Sequence, residues 1–439
     1  MKRTLDQNPL TTIMLFLVLA SCSPGPQAGG GIGGTGSIAS IASGPITGFG
    51  SVFVSGTEYE TTDTSMMVDG QPGSQRDLKQ GMLVRVNATV TERSGTNAPP
   101  LRTADALLYE DTLEGVVQSV TPTGSHLVVL GQSVTITPAT LIDASIPGGT
   151  VLNLVPGRDL VEISGFVMGD GVIRATLIDL KTLNATTETP DYQVKGLISH
   201  HRAAQHTFEV GALTVEYRDA VLQNLPDQSR SVWDGLLVDI VGQQVSSGDG
   251  TSPRFRLTAT RVRLEGLGSS DSEDAVVEGF VTRVLSPGNF FLGNLQVVSD
   301  AGTVFQGGTN ADILVGVHLE VHGRLVGGVM TAANVELEDA DLHEAVTQVL
   351  GSGHFFLGNV QVLASADTIF EGGTINDIVV GVHLEVYGSV VDGTVTATKV
   401  EFERVTSLPE ANPATSSTVR AVTGPPARIS GFDGPTSLR

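Results

Sequence analysis

The chain has one cysteine and one tryptophan in 439 residues, and aromatic residues make up only 5% of it. A single thiol excludes an internal disulfide. Charged residues are few as well, at 16%, which is poor material for helices built on Glu, Lys and Leu. Positive charge is the scarcer sign, and the formal net charge is −22. Such a chain repels a phosphate backbone, so nucleic acid is set aside as a partner. Beyond the N-terminal segment, no apolar run is long enough to span a bilayer. No Gly-x-Ser-x-Gly stands at a strand-to-helix turn, and no repeat carries a long insertion in which a pocket could be built. The expectation is a protein that is not an enzyme and needs no cofactor. What abounds is glycine, at 53 residues, as many short strands joined by tight turns require.

The first residues read as a processing signal. Lys2 and Arg3 precede the apolar run Ile13–Ala20, which is too short to span as a mature helix. Leu19-Ala20-Ser21-Cys22 follows and resembles the bacterial lipobox, in which the Cys is lipidated and becomes the first residue after cleavage. Several acyl chains on one Cys give a stable anchor, since each buried methylene contributes about 0.8 kcal/mol. Ser23 rather than Asp follows Cys22, which by resemblance to Gram-negative sorting implies the outer membrane. Residues 22–44 read as a flexible tether of Gly, Ser, Ala and Pro. Within it, Gly31–Gly36 matches the dinucleotide fingerprint but has neither the strand before it nor the helix after it that the motif needs.

The rest is organised around a stretch written twice, Gly288–Leu337 and Gly353–Phe402, gapless at a shift of 65 with 30 of 50 positions identical. Weaker echoes extend it to five units: 45–111, 112–190, 191–268, 275–339 and 340–404, followed by a disordered tail over 405–439. Each unit opens on an apolar–x–Gly–apolar start, such as Ile46-Thr47-Gly48-Phe49 or Val277-Glu278-Gly279-Phe280, with Ala345 in place of Gly in the fifth. A second strand carries its own Gly (Gly56, Gly131, Gly211, Gly293, Gly358), read as a bulge that curves the sheet. A connector ending in Gly81, Gly157, Gly235, Gly316 or Gly381 reads as one helical turn with Gly at its C-cap, Leu78 and its equivalents plugging the barrel end. Then Val317, Leu319 and Val321 alternate with His318, Glu320 and His322, the period of a half-buried strand. Gly327-Gly328 turns it into a closing strand ending at Leu337. The expected fold is all-β: tandem, small, five-stranded barrels of the oligonucleotide/oligosaccharide-binding (OB) type, packed together or sharing strands because each alone is marginal.

Gly48–Gly56, with Asp77-Leu78-Lys79-Gln80-Gly81-Met82 downstream, resembles the repeats of exported bacterial proteins known as domain of unknown function 5666. The resemblance is best in the first unit and extends over Ile46–Arg404. It implies an OB-like β-fold and no known activity.

Candidate ligands are few. His318 with Glu320, and His383 with Glu385, lie on one strand face and can share a metal, although two ligands from one strand do not complete a zinc site. The preferred reading is a solvated outer face, where neutral His beside Glu is common. His200, His201 and His206 cluster in the third unit, and Asp271-Ser272-Glu273-Asp274 is the best acidic stretch for calcium, without the distal Glu such a loop needs. Phe290-Phe291 and Phe355-Phe356 offer a stacking platform, or one core and one barrel-end residue each. The chain therefore reads as a membrane-anchored envelope scaffold. Its alternatives are a cation- or saccharide-binding module in the barrel grooves and, last, a hydrolase. Replacing Cys22 by Ser is expected to abolish fatty-acid labelling and move the protein from the membrane pellet to the soluble fraction.

Overall fold

The computed structural model describes residues 37–93, 99–181, 192–227, 232–246, 255–268, 271–338, 340–357, 360–391 and 394–402. Cys22, Gly31–Gly36, Gly358 and the tail lie outside them. Within them the chain is all-β, interrupted only by short 3-10 turns, and no helix is long and apolar enough to cross a membrane.

Unit 4 shows the plan. Its long first strand, Ser272–Ser286, pairs antiparallel with Asn289–Leu292 on one side and His318–Val326 on the other. Asn289–Leu292 pairs with Leu295–Val298, which runs parallel to Val329–Leu337, and that strand returns antiparallel to His318–Val326. The ring runs first-second-third-fifth-fourth and closes on the first strand, as in an OB barrel. Units 2, 3 and 5 repeat these pairings. Unit 1 closes through a single bridge, Glu60 to Thr103. The period of two in the sequence has its cause in this ring: Val317, Leu319 and Val321 point inward and are buried, while His318, Glu320 and His322 are partly exposed. Phe290 and Phe355 are core residues, whereas Phe291 lies outside beneath the Arg283 guanidinium, 4.0 Å from its centroid.

Two features recur in each unit and set its curvature. The connector glycine has φ between 76° and 92° in all five units. Its N–H donates to a first-strand carbonyl at 2.8 Å: Gly81 to Ile46, Gly157 to Val117, Gly235 to Ile198, Gly316 to Val281 and Gly381 to Val346. The first-strand residue returns a bond to the residue after the glycine, as Val281 N–H does to Val317 O at 2.9 Å. In unit 2 the return bond goes one residue further, to Asp159, which absorbs that unit's extra residue without opening the ring. The second feature is a bulge in the closing strand, where Thr176, Thr260, Ala333 and Thr398 are the extra residues and Gly165, Gly242, Gly323 and Gly388 of the fourth strand lie opposite, with Asp105 and Ala88 in these places in unit 1. A Cβ at Gly323 would stand 2.1 Å from the Thr331 carbonyl oxygen, so the strands approach too closely there for a side chain.

Several sequence expectations are corrected. Gly56, Gly131, Gly211 and Gly293 form the hairpin turns after the second strand, not bulges within it. The connector contains a 3-10 turn in units 1, 2, 4 and 5, but its C-cap is Leu78, Leu154, Ile313 or Ile378 in extended conformation. These residues are buried plugs as expected, and the glycine comes three residues later. In unit 3 Trp233 is the plug, while Val232 is 73% exposed. Register places Gly44, not Gly48, at the first-strand glycine position of unit 1, two residues before Ile46. Glu344, not Ala345, faces Leu384 as Gly279 faces Leu319. The first strand starts at Ile38, with Ile41 and Ala42 buried, so the tether expected over 22–44 gives up its last seven residues to the barrel.

The units share strands, though not in chain order. Ser40–Ser43 of unit 1 runs parallel to Asp274–Val277 of unit 4, and Leu113–Glu114 of unit 2 pairs with Gln193–Val194 of unit 3. The cores of units 4 and 5 form one continuous apolar cluster, as do those of units 2 and 3. Gly316→Ala is expected to cost about 1–2 kcal/mol, from an L-residue forced into the left-handed region where the site is otherwise open. Gly323→Ala is expected to cost more, because overpacking of about 1–3 kcal/mol falls on backbone that cannot move aside. Hydrogen exchange across residues 318–337 measures both, with faster exchange in the second variant.

Candidate functional site

The structure scatters the histidines and carboxylates that the sequence singled out. His318 stacks on Phe280 with ring centroids 4.4 Å apart, and its Nε2 lies 3.2 Å from Glu278 of the neighbouring strand, not beside Glu320. Glu320 instead accepts from His322 at 2.5 Å. In unit 5 Glu385 accepts from the Tyr387 hydroxyl, and among the described residues His383 joins no cluster of three potential ligands. The candidate ligands His318, Glu320, His383 and Glu385 therefore have no converging set among those residues. Of the three unit 3 histidines, His201 is stacked on Trp233 at 4.4 Å and hydrogen-bonded to Tyr217 at 2.8 Å, with burial lowering its pKa. His200 Nδ1 lies 3.1 Å from Glu209, and the His206 ring lies against Tyr217. Tyr217 and Trp233 thus organise two of these rings as packing rather than as ligands. In the 271–274 stretch, Asp274 pairs with Arg102, Glu273 with Arg324, and Asp271 accepts from Gly327 N–H. These carboxylates hold unit 4 to unit 1 and close its own hairpin.

What the sequence did not show is a cleft of about 170 Å³ where units 1, 2, 3 and 4 meet. Its walls mix Leu83, Phe166, Leu267 and Phe280 with Arg85, Lys195, Glu110 and Glu265. That volume lies below the range of about 300 Å³ upward usual for drug-sized ligands. Its polar groups are largely spent across the seam. Arg85 Nη1 donates to Gly266 O at 2.7 Å and Lys195 Nζ to Glu110 O at 2.9 Å. Asn294, in the turn of unit 4, accepts from Leu237 N–H at 2.9 Å and donates to the carbonyls of Leu237 and Glu265. Phe166 of unit 2 meets Phe280 of unit 4 edge-on at 5.5 Å.

Behind this seam lies a buried ionic network. Asp239, whose side chain is wholly buried, accepts from Gln193 at 2.8 Å, Arg261 at 2.9 Å and Arg263 at 3.0 Å. Arg263 also reaches Glu110 in the linker from unit 1 to unit 2. Burial opposes the charge of Glu110, but the Arg263 hydrogen bond, with Lys195 nearby, holds its carboxyl below the usual range. The alternation Thr258-Ala259-Thr260-Arg261-Val262-Arg263 put both arginines on one face, so that much was readable. The acid they meet was not.

A second polar cluster occupies the other side of the same linker. The Tyr109 hydroxyl bonds Asp111 Oδ1 at 2.5 Å and Ser164 Oγ at 2.9 Å, and Asp111 N–H donates to Asp69 Oδ1 at 3.2 Å. Burial, with Asp69 and Glu162 alongside, pushes the Asp111 carboxyl well above the usual range. Lys181 bridges Glu114 and Glu162 at 2.7 Å each.

The geometry defines a class: tandem OB-type barrels fastened into one body by shared strands and cross-unit side-chain bonds. Three segments, residues 114–179, 278–336 and 345–401, match the family described as domain of unknown function (DUF5666), and the chain carries tandem repeats of that family. The matched segments are units 2, 4 and 5, not unit 1, where the resembling motif was read; units 1 and 3 share the strand order of the matched units. No match is found among curated proteins.

Lys79 of unit 1 sits between two carboxylates of unit 2, 2.6 Å from Asp179 and 3.2 Å from Asp143. Asp143, bonded by Ser145 and Lys79 near the surface, is held well below the usual carboxylate range. Burial outweighs Lys79 at Asp179 and raises it to about 6. Folding therefore takes up a proton at Asp179 between its unfolded value and about 6, so its contribution to stability falls as pH rises through that window. A carbon-detected titration is expected to place the Asp179 midpoint near 6. Lys79→Met is expected to move that midpoint higher, because it removes the charge that opposes the shift.

Proposed function

We propose that this protein is a non-catalytic envelope lipoprotein, held to the membrane through Cys22, whose packed barrels bind or space other envelope proteins. One observation carries the reading. In the two most alike repeats, the same two connector positions leave aliphatic side chains in solvent: Leu314 with Val315, and Val379 with Val380, the last 64% exposed. Val155 of unit 2 and Val232 of unit 3 are exposed at the same connector, where unit 1 has Lys79 and Gln80. Solvent-facing aliphatics right after the plug residue in units 2, 4 and 5 support a protein contact, because an isolated apolar residue would not recur in register. By contrast, His201, His318 and His322, which do not recur in every unit, are engaged by Tyr217, Phe280 and Glu320.

The cation- or saccharide-binding alternative has weaker support in the cleft, whose volume suits a few waters or an ion rather than a sugar chain.

A photo-crosslinking residue at Val380, used in intact cells, tests the proposal. The expected outcome is capture of one or a few envelope proteins, with the yield falling several-fold when Val379 and Leu314 are both changed to Asp. Recovery of no partner, together with turnover of a substrate by the purified protein, would remove the scaffold reading.

A further inference from the structure

The linker Glu110-Asp111-Thr112 sends Glu110 to the arginines of unit 3 and Asp111 in among the acids of units 1 and 2. Asp69, Asp111 and Glu162 each place a carboxylate oxygen within 4.8 Å of the other two, the sole such group of three among the described residues. They come from three different elements. Asp69 is at the tip of the hairpin joining Ser65–Val68 to Gln71–Gly73, Asp111 follows Leu101–Tyr109, and Glu162 is on the fourth strand of unit 2, Leu160–Val167.

Proximity of acids alone would say little. The second observation is the state of Asp111. It is 1% exposed, one oxygen is engaged by Tyr109, and the other, Oδ2, is buried with no hydrogen-bond partner among the described residues. An unpaired buried carboxylate oxygen is expensive, and protein interiors rarely leave one bare. Lys181 does not relieve it, because its ammonium is held by Glu114 and by Oε1 of Glu162. Of the four carboxylates Asp69, Asp111, Glu114 and Glu162, only Glu114 and Glu162 touch the Lys181 ammonium, so among the described residues Asp69 and Asp111 have no cation in direct contact.

We infer that Asp69, Asp111 and Glu162 bind a hard divalent cation, which fastens unit 1 to unit 2. The donor set is oxygen only, which suits calcium, magnesium or manganese rather than zinc or copper. The positions are apt for their roles. Asp111 and Glu162 are set by strands and by the Tyr109, Ser164 and Lys181 contacts, so two ligands are already oriented. Asp69 is exposed at the hairpin tip and leaves an entry path for the ion. A cation there would complete the valence of Oδ2 and tie the last strand of unit 1 to the barrel of unit 2. This inference does not depend on the scaffold reading, since a cation can fasten the two units whatever the assembled protein binds.

The test uses the full mature chain in detergent, stripped with EDTA and titrated by calorimetry with calcium, magnesium or manganese chloride at neutral pH. The expected result is one saturable site and a rise in the thermal midpoint with added ion. Asp69→Asn is the informative variant. Asn tolerates the positive φ of 48° at this position, so the hairpin is kept while one ligand charge is lost. Its affinity is expected to fall by at least about tenfold, with an unchanged circular dichroism spectrum. Glu162→Gln provides the second variant, with the same expected loss. Absence of binding for all three ions, or binding by Asp69→Asn and Glu162→Gln equal to that of the unmodified chain, would overturn the assignment. Asp111 would then be a carboxyl kept neutral by its own proton.

Discussion

The hydrogen-bond pair between each connector glycine and the first strand is the constraint on which the barrels depend. A five-stranded ring must bring its fourth strand back against its first, and the chain reaches that point from a 3-10 turn running across the barrel mouth. The glycine redirects the backbone at a φ near 90°, where an L-residue is strained, and its N–H is then aimed at the first-strand carbonyl. The reciprocal bond fixes register, and register decides which side chains enter the core. The Thr hydroxyls before the turn contribute a second fixture. Thr64, Thr140, Thr303 and Thr368 each donate to an Ala carbonyl on the closing strand, at 2.7 to 2.8 Å.

A small barrel buries too little apolar surface to be secure alone. This chain answers by joining barrels in two ways. First strands pair across units, which extends the sheet and removes exposed edges that would otherwise invite aggregation. Side chains then fill the seam: an ionic network on Asp239, an amide latch at Asn294, and the Lys79 bridge with its two acids. Buried charges of this kind add little net stability over apolar packing, but removing one partner costs several kcal/mol. They therefore specify which barrel meets which. Among the described residues, unit 5 has no such network across its contact with unit 4 and shares an apolar core with it, while its connector keeps Val379 and Val380 in solvent.

Much of the barrel was legible in residues. Alternation at Val317–Val321, the Gly327-Gly328 turn and the recurrence between Gly288–Leu337 and Gly353–Phe402 carry strand type, hairpins and copy number, because these are local consequences of pleat and turn chemistry. The errors concern glycines. A sequence does not distinguish a glycine needed for positive φ in a hairpin, such as Gly293, from one needed because a facing carbonyl leaves no room, such as Gly323. Nor could Gly44 be preferred to Gly48 at the first-strand position, since the choice rests on a hydrogen bond from Gly81, far along the chain.

The sequence by itself determined the repeated all-β unit, its strand periods, its plugs and the scarcity of thiols, aromatics and positive charge. Only the tertiary structure decided that unit 1 lies beside unit 4, that His318 faces Glu278 rather than Glu320, and that Asp69, Asp111 and Glu162 converge. The reason is the range of the forces involved. Period and turn preference are set between residues a few positions apart, whereas a site made of single residues from different barrels exists only once closure and docking have fixed where each strand ends.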